Sequence, residues 1–121
     1  MDNPHTVRTK SYSFAIGIIH LSTKLKQKHH VEISSQLLRS GTSIGANIEE
    51  ASASGSRKDF FHRMTIASQE ARETYYWLRL LKDTELVSAN EISSLLNEAE
   101  ELIKMLTSIV KTGKTQAAQN S

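Results

Sequence analysis

Gln36 to Ala51, QLLRSGTSIGANIEEA, is the stretch whose periodicity decides the fold. Apolar residues recur at Ile33, Leu37, Ile44, Ile48 and Ala51, the three-and-four spacing of one helix face. Ser40 and Asn47 fall on that same face. Gly41 and Gly45 lie beside it, one turn apart, and each costs a helix interior roughly 1 kcal/mol relative to alanine. Close approach of another backbone is the compensation that such glycines imply. On a helical projection Ser34, Gly41, Gly45 and Ser52 form a second stripe, of small residues, flanking the apolar one. The helix is therefore expected to be gripped from two sides, by partners that the rest of the chain supplies.

Upstream, Phe14, Ile18, Leu21 and Leu25 repeat at helical spacing from Ser11 on, with Ala15 and Ile19 widening the stripe. Lys24, Lys26 and Lys28 close this helix, where cations suit the negative end of its dipole. His29 and His30 fall in a short connection, and the second helix ends near Gly55. Downstream, Ser56-Arg57-Lys58-Asp59 reads as a capping-box variant that opens a third helix. Phe60, Met64, Ala67, Ala71, Thr74, Leu78 and Leu81 then keep a four-three alternation, suited to packing at shallow crossing angles. Ser88-Ala89-Asn90-Glu91 opens a fourth helix with Ile92, Leu95, Ala99, Leu102, Leu106 and Ile109 inward, and Gly113 marks its end.

The helices are thus predicted over about 11–28, 31–53, 57–83 and 89–112, with flexible segments at 1–10 and 114–121. No alternating strand pattern occurs. Four amphipathic helices with short connections predict an all-α fold, an antiparallel up-down-up-down four-helix bundle forming a single domain over 1–121.

The absence of cysteine excludes disulfides and thiolate metal sites. With no apolar run long enough to span a bilayer and no signal-peptide core, a cytoplasmic location without a membrane partner is expected. The net charge is only +2, but residues 1–48 hold six Lys/Arg against two acids, and the remainder is net acidic. Local clusters, not net charge, must carry any argument for a polyanionic partner.

Ferritin-like metal sites require inward Glu-x-x-His pairs. The chain has Glu70-x-x-Glu73 instead and its five histidines are scattered, so neither metal nor other cofactor is expected. There is no nucleophile elbow and no phosphate-cradling glycine loop, and no catalytic residue is assigned. Asn47 suits a register-setting amide better than a ligand site, and Arg39, Glu50, Glu70 and Glu73 are placed to form a structural polar network around it. Ile66, Trp77 and Leu80 project from the flank and back of the third helix. Together with the small-residue stripe at Gly41 and Gly45, they are the expected oligomer interface, with packing by the terminal arm as the alternative.

The segments SYSFAIGIIHL, QLLRSGTSIGANIEEA and KDFFHRMTIASQEARETYYWLRLL carry a family likeness. Its most specific elements are Arg39-Ser40-Gly41, Ser43-Ile44-Gly45-Ala46-Asn47, Glu50-Ala51 and Glu70-Ala71-Arg72-Glu73 with Trp77. The chain resembles, from about Ser11 to Leu81, the four-helix-bundle family encoded in intervening sequences of bacterial large-subunit ribosomal RNA genes. A related branch is the accessory variability protein of diversity-generating retroelements. The resemblance implies a homopentameric ring and, for the retroelement branch, binding to a reverse transcriptase and to nucleic acid. The function expected is therefore a non-enzymatic homo-oligomer that binds structured RNA, or RNA with a polymerase partner. Arg57 and Lys58 at one bundle end, and Lys24, Lys26 and Lys28 at the other, are the expected phosphate contacts. The alternative is a protein-interaction scaffold without nucleic-acid binding.

Overall fold

The Thr6 hydroxyl accepts a hydrogen bond from the Thr9 amide at 3.2 Å and so caps the first helix. In the computed structural model, which describes residues 6–119, this helix (α1) runs Val7–Gln27. It is followed by α2 (Val31–Ser52), α3 (Arg57–Asp83) and α4 (Ala89–Gln119). Ser56 caps α3 through the Asp59 amide at 3.0 Å, and Ser88 accepts from the Glu91 amide at 3.3 Å at the start of α4. Both capping signals are used as the sequence implies.

Each helix packs against its sequence neighbours, and α1 meets α4 to close the square, while among the described residues the diagonal pairs bring no Cα atoms within 8 Å. The cross-helix contacts, taken with the short connections, fit antiparallel neighbours. Arg8 of α1 reaches Glu49 of α2, Arg39 of α2 reaches Glu70 of α3, Arg72 of α3 reaches Thr107 of α4, and Lys10 of α1 meets Glu101 of α4. The four apolar stripes meet inside, with Phe14, Ile18, Leu37, Ile44, Leu78, Ile92, Leu102 and Leu106 essentially inaccessible to water. Full burial of each such side chain contributes roughly 1.5–3 kcal/mol. Ile19 departs from expectation: it lies outside, on the solvent face of α1.

The small-residue stripe of α2 is the seat of α1. The Ser34 hydroxyl donates to the Ser22 carbonyl of α1 at 2.7 Å. A methyl group added at Gly41 would lie 2.7 Å from Ile18 Cγ2, whereas one at Gly45 would meet Ser11 at an ordinary 3.5 Å. Both glycines therefore serve the α1–α2 seam of one chain. Within one chain the space beside Gly41 is filled by Ile18, while Gly45 is only partly buried and faces Ser11.

Helix bounds differ from the sequence expectation at both termini. Residues 7–10 are helical because Thr6 supplies the cap, and α4 continues through Gly113 to Gln119 instead of stopping at 112. Gly113 is a packing residue, not a stop: a methyl there would come within 2.6 Å of the Phe61 ring of α3. Residues 1–5 and 120–121 of the expected flexible ends lie outside the described residues.

The two connections at one end of the bundle share a turn. His29 (φ 70°) and Glu85 (φ 59°) are left-handed. In each turn the next amide reaches back five residues, from His30 to the Leu25 carbonyl at 2.9 Å and from Leu86 to the Leu81 carbonyl at 3.2 Å. This is the glycine-type helix stop made with side-chain-bearing residues, at a strain of roughly 1–2 kcal/mol each.

Two stability outcomes follow from these contacts. Gly41→Ala and Gly45→Ala gain the same helix propensity, but only the first overpacks, so urea melts should place it about 1–3 kcal/mol below the second. Equal midpoints would mean that Ile18 swings aside freely. His29→Gly should raise unfolding free energy by roughly 1 kcal/mol, since relief of strain exceeds the added chain entropy; an unchanged or lowered midpoint would refute strain at this turn.

Candidate nucleic-acid interface

Basic residues gather at both bundle ends, and ion pairing decides which of them remain available. At the end holding the start of α1, Arg8 is held by Glu49 (3.0 Å) and Lys10 by Glu101. Asp59 lies 4.0 Å from Arg63. Arg57, Lys58, Lys111 and Lys114 have no ion pair among the described residues. At the other end Lys24 lies 3.6 Å from Glu91, while Lys26 and Lys28 are exposed and have no ion pair among the described residues.

Five cations without an ion pair among the described residues line two clefts along the α3–α4 seam. One, of about 380 Å³, is lined by Arg72, Lys111 and Lys114 with Thr65, Gln69 and Thr107. The Arg72 guanidinium donates to Thr107 Oγ1 at 2.9 Å, which fixes it across the seam. The second, of about 450 Å³, is lined by Arg57, Lys58, Phe61, Gly113, Gln116 and Ala117. Neither contains a carboxylate. Clefts elsewhere do: Glu32 near the start of α2, Asp83 and Glu100 beside Lys82, and Glu98 with Glu101 between α1 and α4. The structure thus brings Arg57 and Lys58 together with Arg72, Lys111 and Lys114, and leaves Lys24, Lys26 and Lys28 on the opposite end. Arg72 was not singled out from sequence, because its place on the α4 side of α3 depends on the seam register.

The polar network is smaller than expected. Arg39 pairs with Glu73 and lies 3.3 Å from Glu70, and the Trp77 indole donates to Glu73 at 3.0 Å. Asn47 is half-buried but donates to the Ser43 carbonyl of its own helix at 2.9 Å, and Glu50 is exposed. Neither joins the cluster, because Asn47 lies two turns along α2 from Arg39. Across the α3–α4 seam, Tyr75 donates to Glu100 at 2.8 Å. That bond, with desolvation and the Glu100 charge, raises the phenol above its ordinary value of 10.0, so it remains a neutral donor near pH 7. Among the described residues no three His, Asp or Glu side chains converge as a metal site would require, and no helix is long and apolar enough to cross a membrane.

The apolar surface is distributed differently from expectation. Ile66, Trp77 and Leu80 are all partly buried within the monomer, Trp77 against the core cluster. The open apolar stripe is on α1, where Tyr12 (67% exposed), Ile16 (44%) and Ile19 (45%) recur at helical spacing. The register that pairs Ser22 with Ser34 brings Leu38 (39% exposed) to the level of Ile19. No charged residue interrupts this patch between Arg8 and Lys26 on the α2 side of α1.

Comparison with known proteins agrees with this architecture. A crystal structure of a protein of unknown function from the S23 ribosomal protein family of Bacteroides thetaiotaomicron VPI-5482 superposes with a TM-score of 0.83 at 45% identity. The match covers 88% of this chain and 99% of that one. No curated protein matches. The model of the 23S rRNA-intervening sequence protein family matches residues 4–108. Since that match takes in α1, α2, α3 and most of α4, the chain belongs to the 23S rRNA-intervening sequence protein family.

Proposed function

We propose that this chain is a non-enzymatic, homo-oligomeric bundle that binds structured RNA through the α3–α4 clefts. The observation that carries the reading is the alignment of Arg57, Lys58, Arg72, Lys111 and Lys114 along clefts that contain no carboxylate. Arg57, Lys58, Lys111 and Lys114 meet phosphate without losing an ion-pair partner, and all five cations position a polyanion without reading its sequence. The first turn of α3 adds exposed amides and the positive end of the helix dipole. The carboxylates of the α2–α3 seam are bound by Arg39 and Trp77, which suits a brace between helices rather than acid–base chemistry.

The Tyr12, Ile16, Ile19 and Leu38 patch supports assembly, since a charge-free apolar stripe over several turns is what a copy-to-copy contact uses. The homopentamer implied by family resemblance is the expected order. Repetition of one modest cationic face around a ring raises affinity through effective concentration, by roughly 10²–10⁴.

Binding should show the counterion-release signature. Five phosphate contacts predict that affinity falls by about two to three orders of magnitude between 50 and 200 mM salt. Arg57→Glu with Lys58→Glu should abolish binding at low salt, whereas Lys24→Glu, Lys26→Glu and Lys28→Glu together should weaken it far less. Filter binding with a structured RNA would measure both. A wild type that binds no RNA at low salt, or a double reversal without effect, would replace this reading by a protein-interaction scaffold built on the apolar patch. Light scattering should return an oligomer at micromolar concentration, and Ile16→Glu with Ile19→Glu should return a helical monomer. A monomeric wild type would defeat the assembly.

A further inference from the structure

We propose that the cleft between the first turn of α3 and the last turns of α4 receives an unstacked nucleobase of the bound RNA. The inference rests on the RNA-binding reading above. It adds a recognition element that lies partly outside the family match, because Gly113, Gln116 and Ala117 follow residue 108.

The cleft has the parts that a base requires. Its volume of about 450 Å³ is bounded mainly by apolar atoms, including the half-buried ring of Phe61. Phe60 packs edge-on against that ring, with centroids 5.1 Å apart and planes at 85°, which fixes its orientation. The Phe61 ring packs directly on α4 at Gly113, and the small side chain of Ala117, one turn further on, leaves the cleft open beside it. Gln116 Oε1 is shielded from solvent and has no hydrogen-bond partner among the described residues. A turn of the Gln116 side chain about its own bonds would present that oxygen to donors on a base edge and the amide nitrogen to a base acceptor. Arg57 and Lys58 form the cationic rim, so an occupant must combine an apolar planar body with adjacent negative charge. A nucleotide does so. The cleft adjoins the one lined by Lys111 and Lys114, which allows the neighbouring phosphates to continue along the seam.

The test compares two RNAs with equal phosphate number, a blunt duplex and the same duplex with one unpaired nucleotide, using the full chain at low salt. Base–aromatic stacking predicts that the wild type prefers the bulged RNA by about 5- to 100-fold. Ala117→Leu places bulk in the cleft from an exposed helical position, and should erase that preference, so that the bulged RNA binds no better than the duplex. Phe61→Leu keeps an apolar side chain but removes the π-face, and should reduce the preference several-fold, with helicity checked by circular dichroism. Equal wild-type affinity for the two RNAs, or a preference that survives both substitutions, overturns the base cleft and leaves phosphate binding standing. Equal loss of both RNAs in Ala117→Leu overturns it as well, since the cleft would then serve phosphate alone. Failure of the wild type to bind either RNA removes both readings together.

Discussion

The bundle depends on how closely α1 approaches α2. Gly41 lets the Ile18 side chain occupy the volume where any other residue would carry a Cβ, and the Ser34 hydroxyl reaches the Ser22 carbonyl only because the helices are so near. Shape complementarity of this kind fixes register more sharply than apolar burial alone, which tolerates many alternative packings. The intrinsic helix cost of the glycines is offset by dispersion contacts along the seam. From that register follow the position of Arg39 opposite Glu70 and Glu73, and the outward placement of Tyr12, Ile16 and Ile19.

Electrostatic character is then decided by subtraction. The formal charge of +2 conceals an uneven distribution of commitments. Carboxylates at the α1–α2 and α1–α4 seams are matched by Arg8, Lys10 and Lys24, all in partly exposed pairs that contribute little to stability. Their larger effect is to withdraw negative charge from solvent-facing ground near α3 and α4. A surface of modest net charge thereby acquires a locally unopposed cationic face.

Most of the architecture was legible in the residues. The core stripes of α3 and α4 lie inward as their periodicity implies, and Ser56 and Ser88 both cap. What escaped sequence reading has a physical reason in each case. Gly113 carries the same letter whether it stops a helix or admits an aromatic ring, and only the position of Phe61 decides. Thr6 offered a capping signal, its hydroxyl three residues before the Thr9 amide it accepts, that the apolar pattern beginning later obscured. His29 and Glu85 adopt a conformation that residue type disfavours, so nothing in their identity announces the two tight stops. Ile19 satisfies the inward period by spacing yet lies at the margin of the stripe, where the angle between α1 and α2 determines its exposure. Of the site, the cations of one end were visible as a cluster; the separation of paired from unpaired ones was not, since it depends on side-chain partners far apart in sequence.

Trp77 is the single tryptophan of the chain, and its surroundings give it a spectroscopic role. Its indole nitrogen is bonded to Glu73, its ring stands 5.2 Å from that of Tyr76, and Glu73 is in turn held by Arg39 of the neighbouring helix. Its ultraviolet emission therefore monitors the α2–α3 seam, at the end where His29, Val31 and Leu86 line a cleft with the indole. Loosening of that seam would alter the carboxylate beside the indole and let water reach it, shifting the emission to the red. The cationic clefts lie along a different seam, so occupancy there would leave the emission unchanged. One intrinsic chromophore can in this way distinguish opening of the bundle from events on its charged face.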